Sequence, residues 1–146
     1  MPNVKSQITS PELSKLLRKA GLPQTSLFYW DGQLVVSYDL ACRHEDMWDR
    51  FTSAFTAGEL MDILPAHIQV PGKEPFDYFR LNITKLTAKN IQYIANYCCD
   101  SSEIGDQLAF PKLLPKNVYD ESFVECLGKT LIMVMDMVLN VKEQKQ

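Results

Sequence analysis

The dipeptide Asp31-Gly32, between two runs of strand-forming residues, constrains the fold of this chain more than any other feature. The runs are Leu27-Phe28-Tyr29-Trp30 and Gln33-Leu34-Val35-Val36. Asp-Gly in this context predicts a β-hairpin with a two-residue type I′ turn, because both residues tolerate positive φ there. The predicted register pairs Tyr29 with Leu34. Both faces are largely apolar, so we expect neighbouring elements to cover both faces, or a partner to cover one.

Two short segments carry the end signals of α-helices. The first begins at Ser10-Pro11, an N-cap followed by proline, and ends before Gly21. The second begins with the capping-box pair Thr56 and Glu59 and ends at Pro65. We therefore expect two short helices.

The longest and most apolar segment follows residues 120–122 and predicts a C-terminal helix. Its main apolar stripe has helical spacing and consists of Val124, Leu127, Leu131, Val134 and Val138. We expect this helix to lie across the sheet, with Gly128 at a close approach to a strand.

A second hairpin is predicted from residues 76–86 and 91–99, which are separated by a polar turn. The alternative is a helix over 87–98, but the Ile and Tyr content favours a strand. The predicted register pairs Arg80 with Tyr97 and places the aromatic ring beside the cation.

These elements predict a single α+β domain over 1–146, with an antiparallel sheet from two hairpins packed against the long helix and two shorter helices. The length of 146 residues and the 46% hydrophobic content suit one domain with its own core. Residues 70–75 and 100–118 are predicted loops. The segments 1–8 and 142–146 are predicted to be loose termini.

Composition and targeting signals indicate a cytoplasmic protein. The first twenty residues lack the apolar core of a signal peptide. The most apolar stretch, 123–141, contains charged residues that disfavour a membrane span. The four cysteines are then expected to be reduced thiols.

The motifs of common enzymes and cofactors are missing. No phosphate-binding loop, nucleophile elbow or paired zinc knuckle occurs in the sequence. We therefore predict no cofactor, no metal and a non-enzymatic role. An alternative is a small hydrolase or metal-dependent enzyme built on Cys42, His44, Glu45 and Asp46, whose thiol, imidazole and carboxylates could act together.

Charge disfavours a dedicated nucleic-acid binder, since the net charge is −3. A nucleic-acid-associated accessory factor remains an alternative function. Cations on the first helix and a basic, aromatic strand face would carry it: Lys15, Arg18, Lys19, Arg80, Tyr93 and Tyr97.

The first half of the chain is rich in aromatic residues, which are enriched at protein–protein hot spots. We predict an interaction protein with a protein partner, although small cores also use such side chains. The candidate partner-binding residues are Tyr29, Trp30, Trp48 and Phe51.

Three stretches carry a family resemblance: Leu22-Pro23-Gln24, Ser26-Leu27-Phe28-Tyr29-Trp30 and the segment 54–65. They resemble a group of small uncharacterised proteins of bacteriophages, prophages and their hosts. The resemblance covers about half of the chain. It implies an α+β fold and an origin in a mobile element, and it implies no activity or site. The terminal helix departs from the group at 124–129, where the group is richer in alanine.

Overall fold

The computed structural model describes residues 3–69, 78–87, 90–99 and 117–144. Its helices are a 3₁₀ turn at Val4–Gln7, α1 (Pro11–Lys19), α2 (Tyr38–Ala41), α3 (Met47–Arg50), α4 (Ala57–Ile63) and α5 (Phe123–Gln144). Its strands are β1 (Phe28–Asp31), β2 (Leu34–Ser37), β3 (Thr52–Ala54), β4 (His67–Gln69), β5 (Tyr78–Leu86), β6 (Gln92–Cys99) and β7 (Val118–Asp120). The α+β class is confirmed.

The two predicted hairpins form, but they belong to two antiparallel sheets and not to one. The first sheet has the order β2-β1-β3 and the second the order β4-β5-β6-β7. β3 pairs with β1 on the edge opposite to β2, so β1 is the central strand of this sheet. Just after β3, Ile8 forms an isolated antiparallel bridge with Thr56, which ties the N-terminal segment to this sheet.

The first hairpin turns one residue later than Asp31-Gly32 predicts. Asp31 pairs with Leu34 and Tyr29 with Val36, so Gly32 and Gln33 form the turn. Gly32 has φ +60°, and in the described chain no residue other than glycine has positive φ. This is the pattern of a type II′ turn, with glycine at its first central position. Side chains keep their predicted faces because the pairing moves by two residues.

The second hairpin confirms the strand and shows that a helix over 87–98 is wrong. Its register, however, is displaced by one residue, with Arg80 opposite Cys98 and Leu81 opposite Tyr97. The connection runs from 87 to 91, one residue longer than predicted. A displacement of one residue exchanges the two faces of a strand, so Tyr97 lies on the face opposite to Arg80.

The predicted helix caps are present. The Ser10 side chain accepts a hydrogen bond from the Leu13 amide, and Gly21 follows α1 with φ +99°. Thr56 and Glu59 form both bonds of the capping box. Ser122 caps α5 by accepting from the Glu125 amide at 3.3 Å.

The main core joins α1, α4 and α5 beneath the second sheet. Its buried members are Leu13, Leu17, Leu22, Phe55, Leu60, Leu64, Val124, Leu127 and Leu131. Val134 of the predicted stripe is buried beside Phe79 and Tyr97, whereas the Val138 side chain lies outside the described part of the chain. Gly128 does mark a close approach, but to α1: a Cβ added there would lie 2.6 Å from Leu13 Cδ2.

The chain ends differ from the sequence prediction. Residues 1–8 are predicted to be loose, whereas Val4–Gln7 forms a 3₁₀ turn and Ile8 is 2% exposed. At the other end α5 continues to Gln144. The predicted loops at 70–75 and 100–116 lie outside the described residues, and Val118, predicted to be loop, begins β7.

Candidate functional site

Three of the four aromatic residues predicted to bind a partner are buried, so that prediction is wrong for them. Tyr29 is 1% exposed, Trp30 5% and Phe51 2%. Tyr29 packs with Phe51 beneath the segment 38–51, while Trp30 packs against Ile8 on the opposite face of the hairpin. Trp48 alone of this set is accessible, with 56% of its surface exposed.

A buried polar cluster around Thr9 holds the Trp30 face. The Trp30 Nε1–H donates to the Thr9 carbonyl at 2.7 Å. The Thr9 hydroxyl accepts from the Phe55 amide at 3.0 Å and lies 2.7 Å from the Ser14 hydroxyl. These bonds join the N-terminal segment, α1, β1 and the end of β3, and they fix the hairpin in the fold.

The other face of the hairpin is covered by a cap, which we define as residues 38–51. Ala41, Met47 and Phe51 point inward from it and are buried with Tyr29. Ser37 caps its first helical turn by accepting from the Leu40 amide. The remaining residues from 38 to 50 are exposed, so this short segment presents most of its side chains to the solvent.

Arg18 fastens the end of the cap to α1. Its guanidinium donates to the Trp48 carbonyl at 2.7 Å and to the Phe51 carbonyl at 3.3 Å. These carbonyls lie at the C-terminal end of α3, where a cation is favourable. Arg18 therefore holds the backbone of Trp48, whereas Lys15 and Lys19 of the predicted nucleic-acid set are exposed beside it.

The rest of the predicted nucleic-acid set is divided between the two faces of the second sheet. Arg80 is exposed, whereas Tyr97 is 4% exposed and donates to the Pro65 carbonyl at 2.8 Å. Burial raises the pKa of Tyr97 to about 12. Tyr93 lies on the inner face, with its ring 5.2 Å from that of Phe123. The predicted basic and aromatic face is therefore not formed.

Cys42 and His44 are both exposed but make separate local contacts. The Cys42 thiol donates to the Asp39 carbonyl at 3.3 Å. His44 Nδ1 lies 3.4 Å from an Arg50 nitrogen, and its ring packs edge-on against Phe51. Among the described residues no three His, Cys, Asp or Glu side chains are grouped as metal ligands would be.

The acidic character of the whole chain is concentrated around the cap. The segment 31–50 contains five carboxylates and two arginines, a charge of −3, while the rest of the chain has thirteen Asp and Glu and thirteen Lys and Arg residues and is neutral. Asp31 and Arg50 pair at 2.9 Å. Asp39, Glu45, Asp46 and Asp49 are exposed, and within the described residues their carboxylates accept no hydrogen bond. Asp46 does interact electrostatically with Arg50.

The same segment exposes large apolar side chains. Leu34 is 66% exposed, Trp48 56%, and Tyr38 and Leu40 50% each. We call these side chains and the four exposed carboxylates of the segment the acidic–apolar surface: Leu34, Tyr38, Asp39, Leu40, Glu45, Asp46, Trp48 and Asp49. Sequence analysis identified Trp48 and the carboxylates of this set but did not predict that Leu34, Tyr38 and Leu40 are exposed. The local excess of acidic residues was the one sequence signal that could have pointed to this surface. The exposure of the apolar side chains could not be read from the sequence, because it depends on which residues pack against them in the fold.

A cleft of about 640 Å³ opens elsewhere, between the first turns of α4 and α5. Thr56, Gly58, Tyr93, Ser122 and Phe123 are among its lining residues. The hydroxyls of Thr56 and Ser122 accept from backbone amides of their own helices. Two of the polar groups that line the cleft, the Thr56 and Ser122 hydroxyls, therefore serve helix capping.

Comparison of the chain with models of known protein families, with curated proteins and with solved structures gave no match. Within the described residues, no helix has the length and apolar character needed to cross a bilayer.

Proposed function

We propose that this chain is a non-enzymatic interaction protein that binds a protein partner through the acidic–apolar surface. One observation carries the proposal: the segment that holds the whole charge excess of the chain also exposes four large apolar side chains. Large exposed apolar side chains with a polar rim are typical of protein interaction sites.

The anchoring of the cap supports this proposal. Arg18 holds the carbonyl of Trp48, and Met47 beside it is 6% exposed. The backbone that presents Trp48 is therefore in place before a partner arrives. Binding then has to order fewer protein groups, so less of the interaction free energy is lost as conformational entropy.

A phage or prophage origin belongs to the proposal as well. It rests on the resemblance of the segments 22–30 and 54–65 to small proteins of bacteriophages and their hosts. An accessory role, in which the protein acts by binding another protein, accords with that origin.

The proposal is tested by selecting ligands from a display library of random peptides against the purified protein. The selected peptides are then measured on Leu40→Ser/Trp48→Ser and on the control Leu86→Ser/Ile91→Ser. The control removes side chains of similar exposure, 42% and 54%, on the second hairpin. We expect at least a tenfold loss of affinity in the first variant alone. Equal affinity for both variants would contradict the proposed surface.

A further inference from the structure

Resting on the proposed function, the geometry points to the class of partner: a cationic amphipathic segment, in which Lys or Arg side chains flank apolar anchors. We infer this from the charges that the acidic–apolar surface leaves unneutralised. The apolar members would receive the anchors, and the carboxylates around them would receive the cations.

The cations of the cap do not neutralise its carboxylates. Arg50 is held by Asp31, with Arg50 nitrogens 2.9 and 3.4 Å from the two carboxylate oxygens. This contact raises the pKa of Arg50 and keeps the guanidinium charged. Arg43 is the remaining arginine of the segment 31–50, against four exposed carboxylates, of which Asp46 also interacts electrostatically with Arg50. The segment 31–50 therefore keeps a net charge of −3, and Arg18, which donates to the Trp48 carbonyl, adds one cation next to it.

The exposed carboxylates of the acidic–apolar surface accept no hydrogen bond within the described part of the chain. Asp46 occupies the N-cap position of α3, yet its side chain makes no capping hydrogen bond. Ser37, by contrast, caps α2 with its hydroxyl. Asp46 thus leaves its acceptor oxygens available to a ligand, at a position where a capping bond would stabilise the helix.

Charge distinguishes the cationic segment from other occupants of this surface. A second copy of the chain would bring its own charge of −3 to the contact, and like charges brought together are costly. Nucleic acid and anionic lipid surfaces are repelled for the same reason. A partner with Lys or Arg around apolar anchors complements both the exposed apolar side chains and the carboxylates of the surface. The negative electrostatic potential of the carboxylates also attracts such a partner before contact.

Three fluorescently labelled peptides, each of about fourteen residues and free of Trp, test the inference by anisotropy. One is an amphipathic Lys/Leu peptide; the other two carry Gln or Glu in place of Lys. They are measured on the wild type and on Glu45→Gln/Asp46→Asn/Asp49→Asn. The matched control is Glu12→Gln/Asp62→Asn/Asp136→Asn, which changes the net charge equally at exposed positions outside the surface.

We expect the Lys peptide to bind the wild type at least tenfold more tightly than the Gln peptide, and the Glu peptide to bind least. Three surface charge contacts correspond to about a tenfold loss for the first variant, and the control should stay within twofold. The affinity for the Lys peptide should also fall as salt is raised.

Equal weakening by the two triple variants would overturn the inference, because total charge would then explain the binding. Equal binding of the Gln and Lys peptides would also overturn it. If Leu40→Ser/Trp48→Ser abolishes that equal binding, the proposed function stands and only the cationic partner fails. If Leu40→Ser/Trp48→Ser still binds the Lys peptide as the wild type does, the proposed surface fails as well.

Discussion

The buried hydroxyl of Thr9 should contribute more to stability than its size suggests, and Thr9→Val tests this. Valine has nearly the same shape, so the substitution removes the hydroxyl and leaves no cavity. The Phe55 amide, which donates to this hydroxyl at 3.0 Å, loses its acceptor. The Ser14 hydroxyl loses its contact at 2.7 Å but keeps the Thr9 carbonyl at 3.3 Å.

The expected loss follows from these two contacts. A buried amide without an acceptor costs about 1–3 kcal/mol, and the loss of a satisfied hydroxyl contact costs about 0.5–1.5 kcal/mol. We therefore expect Thr9→Val to lower the free energy of unfolding by about 2–4 kcal/mol. With a urea m-value of about 2 kcal/mol/M, the midpoint should fall by about 1–2 M.

Urea denaturation followed by circular dichroism measures this shift. Thr25→Val is the matched control, since Thr25 is exposed and its loss should change stability by less than about 0.5 kcal/mol. A Thr9→Val midpoint equal to that of the control would refute the reasoning, because it would show that the Thr9 hydroxyl is not an obligatory acceptor.

Three further predictions concern other positions. Gly128→Ala should destabilise the protein by about 1 kcal/mol, because the added Cβ would lie 2.6 Å from Leu13 Cδ2 and this crowding outweighs the better helix propensity of alanine. Gly58→Ala is the control and should not destabilise the protein, because a Cβ there would have only Thr56 Oγ1 near it, at 4.0 Å. Thermal melting curves of the two variants measure the difference. Ser53→Ala should preserve or raise the unfolding midpoint in urea, because the buried Ser53 hydroxyl has no hydrogen-bond partner in the described structure; a loss above about 1 kcal/mol would contradict this. The pKa of Tyr97, about 12 when folded and about 10 when unfolded, means that its stabilising contribution is complete below pH 10 and is lost as the pH rises toward 12. The stability difference from Tyr97→Phe should shrink over that range, and a constant difference in urea titrations would contradict it.

Local signals predicted the helix caps correctly, but not the position of the first turn. The caps at Ser10 and Thr56 satisfy amides within the same helical turn, so neighbouring residues determine them. The turn of the first hairpin lies one residue later than predicted, because Gly32 can occupy either central position of a two-residue turn. It would be the second residue of an Asp31-Gly32 turn and is the first residue of the observed Gly32-Gln33 turn. The choice between them depends on pairing with the rest of the sheet.

The exposure of aromatic residues could not be predicted, because distant segments determine it. Trp30 is buried by Ile8 and bonded to Thr9, and the sequence predicts Ile8 to be part of a loose terminus. Trp48 stays exposed because Met47, its neighbour on α3, takes the inward position of that turn. The candidate surface thus follows from packing that no local pattern in the sequence contains.

The two tryptophans offer the most direct test of partner binding. In a ¹H–¹⁵N correlation spectrum they give two indole signals, one from exposed Trp48 and one from Trp30, whose Nε1–H is bonded to Thr9. Titration with the Lys/Leu peptide should shift or broaden the Trp48 indole signal and leave the Trp30 signal in place. Saturable binding that leaves the Trp48 signal unchanged would contradict the acidic–apolar surface as the docking site, and a titration with no binding would contradict the cationic class of partner.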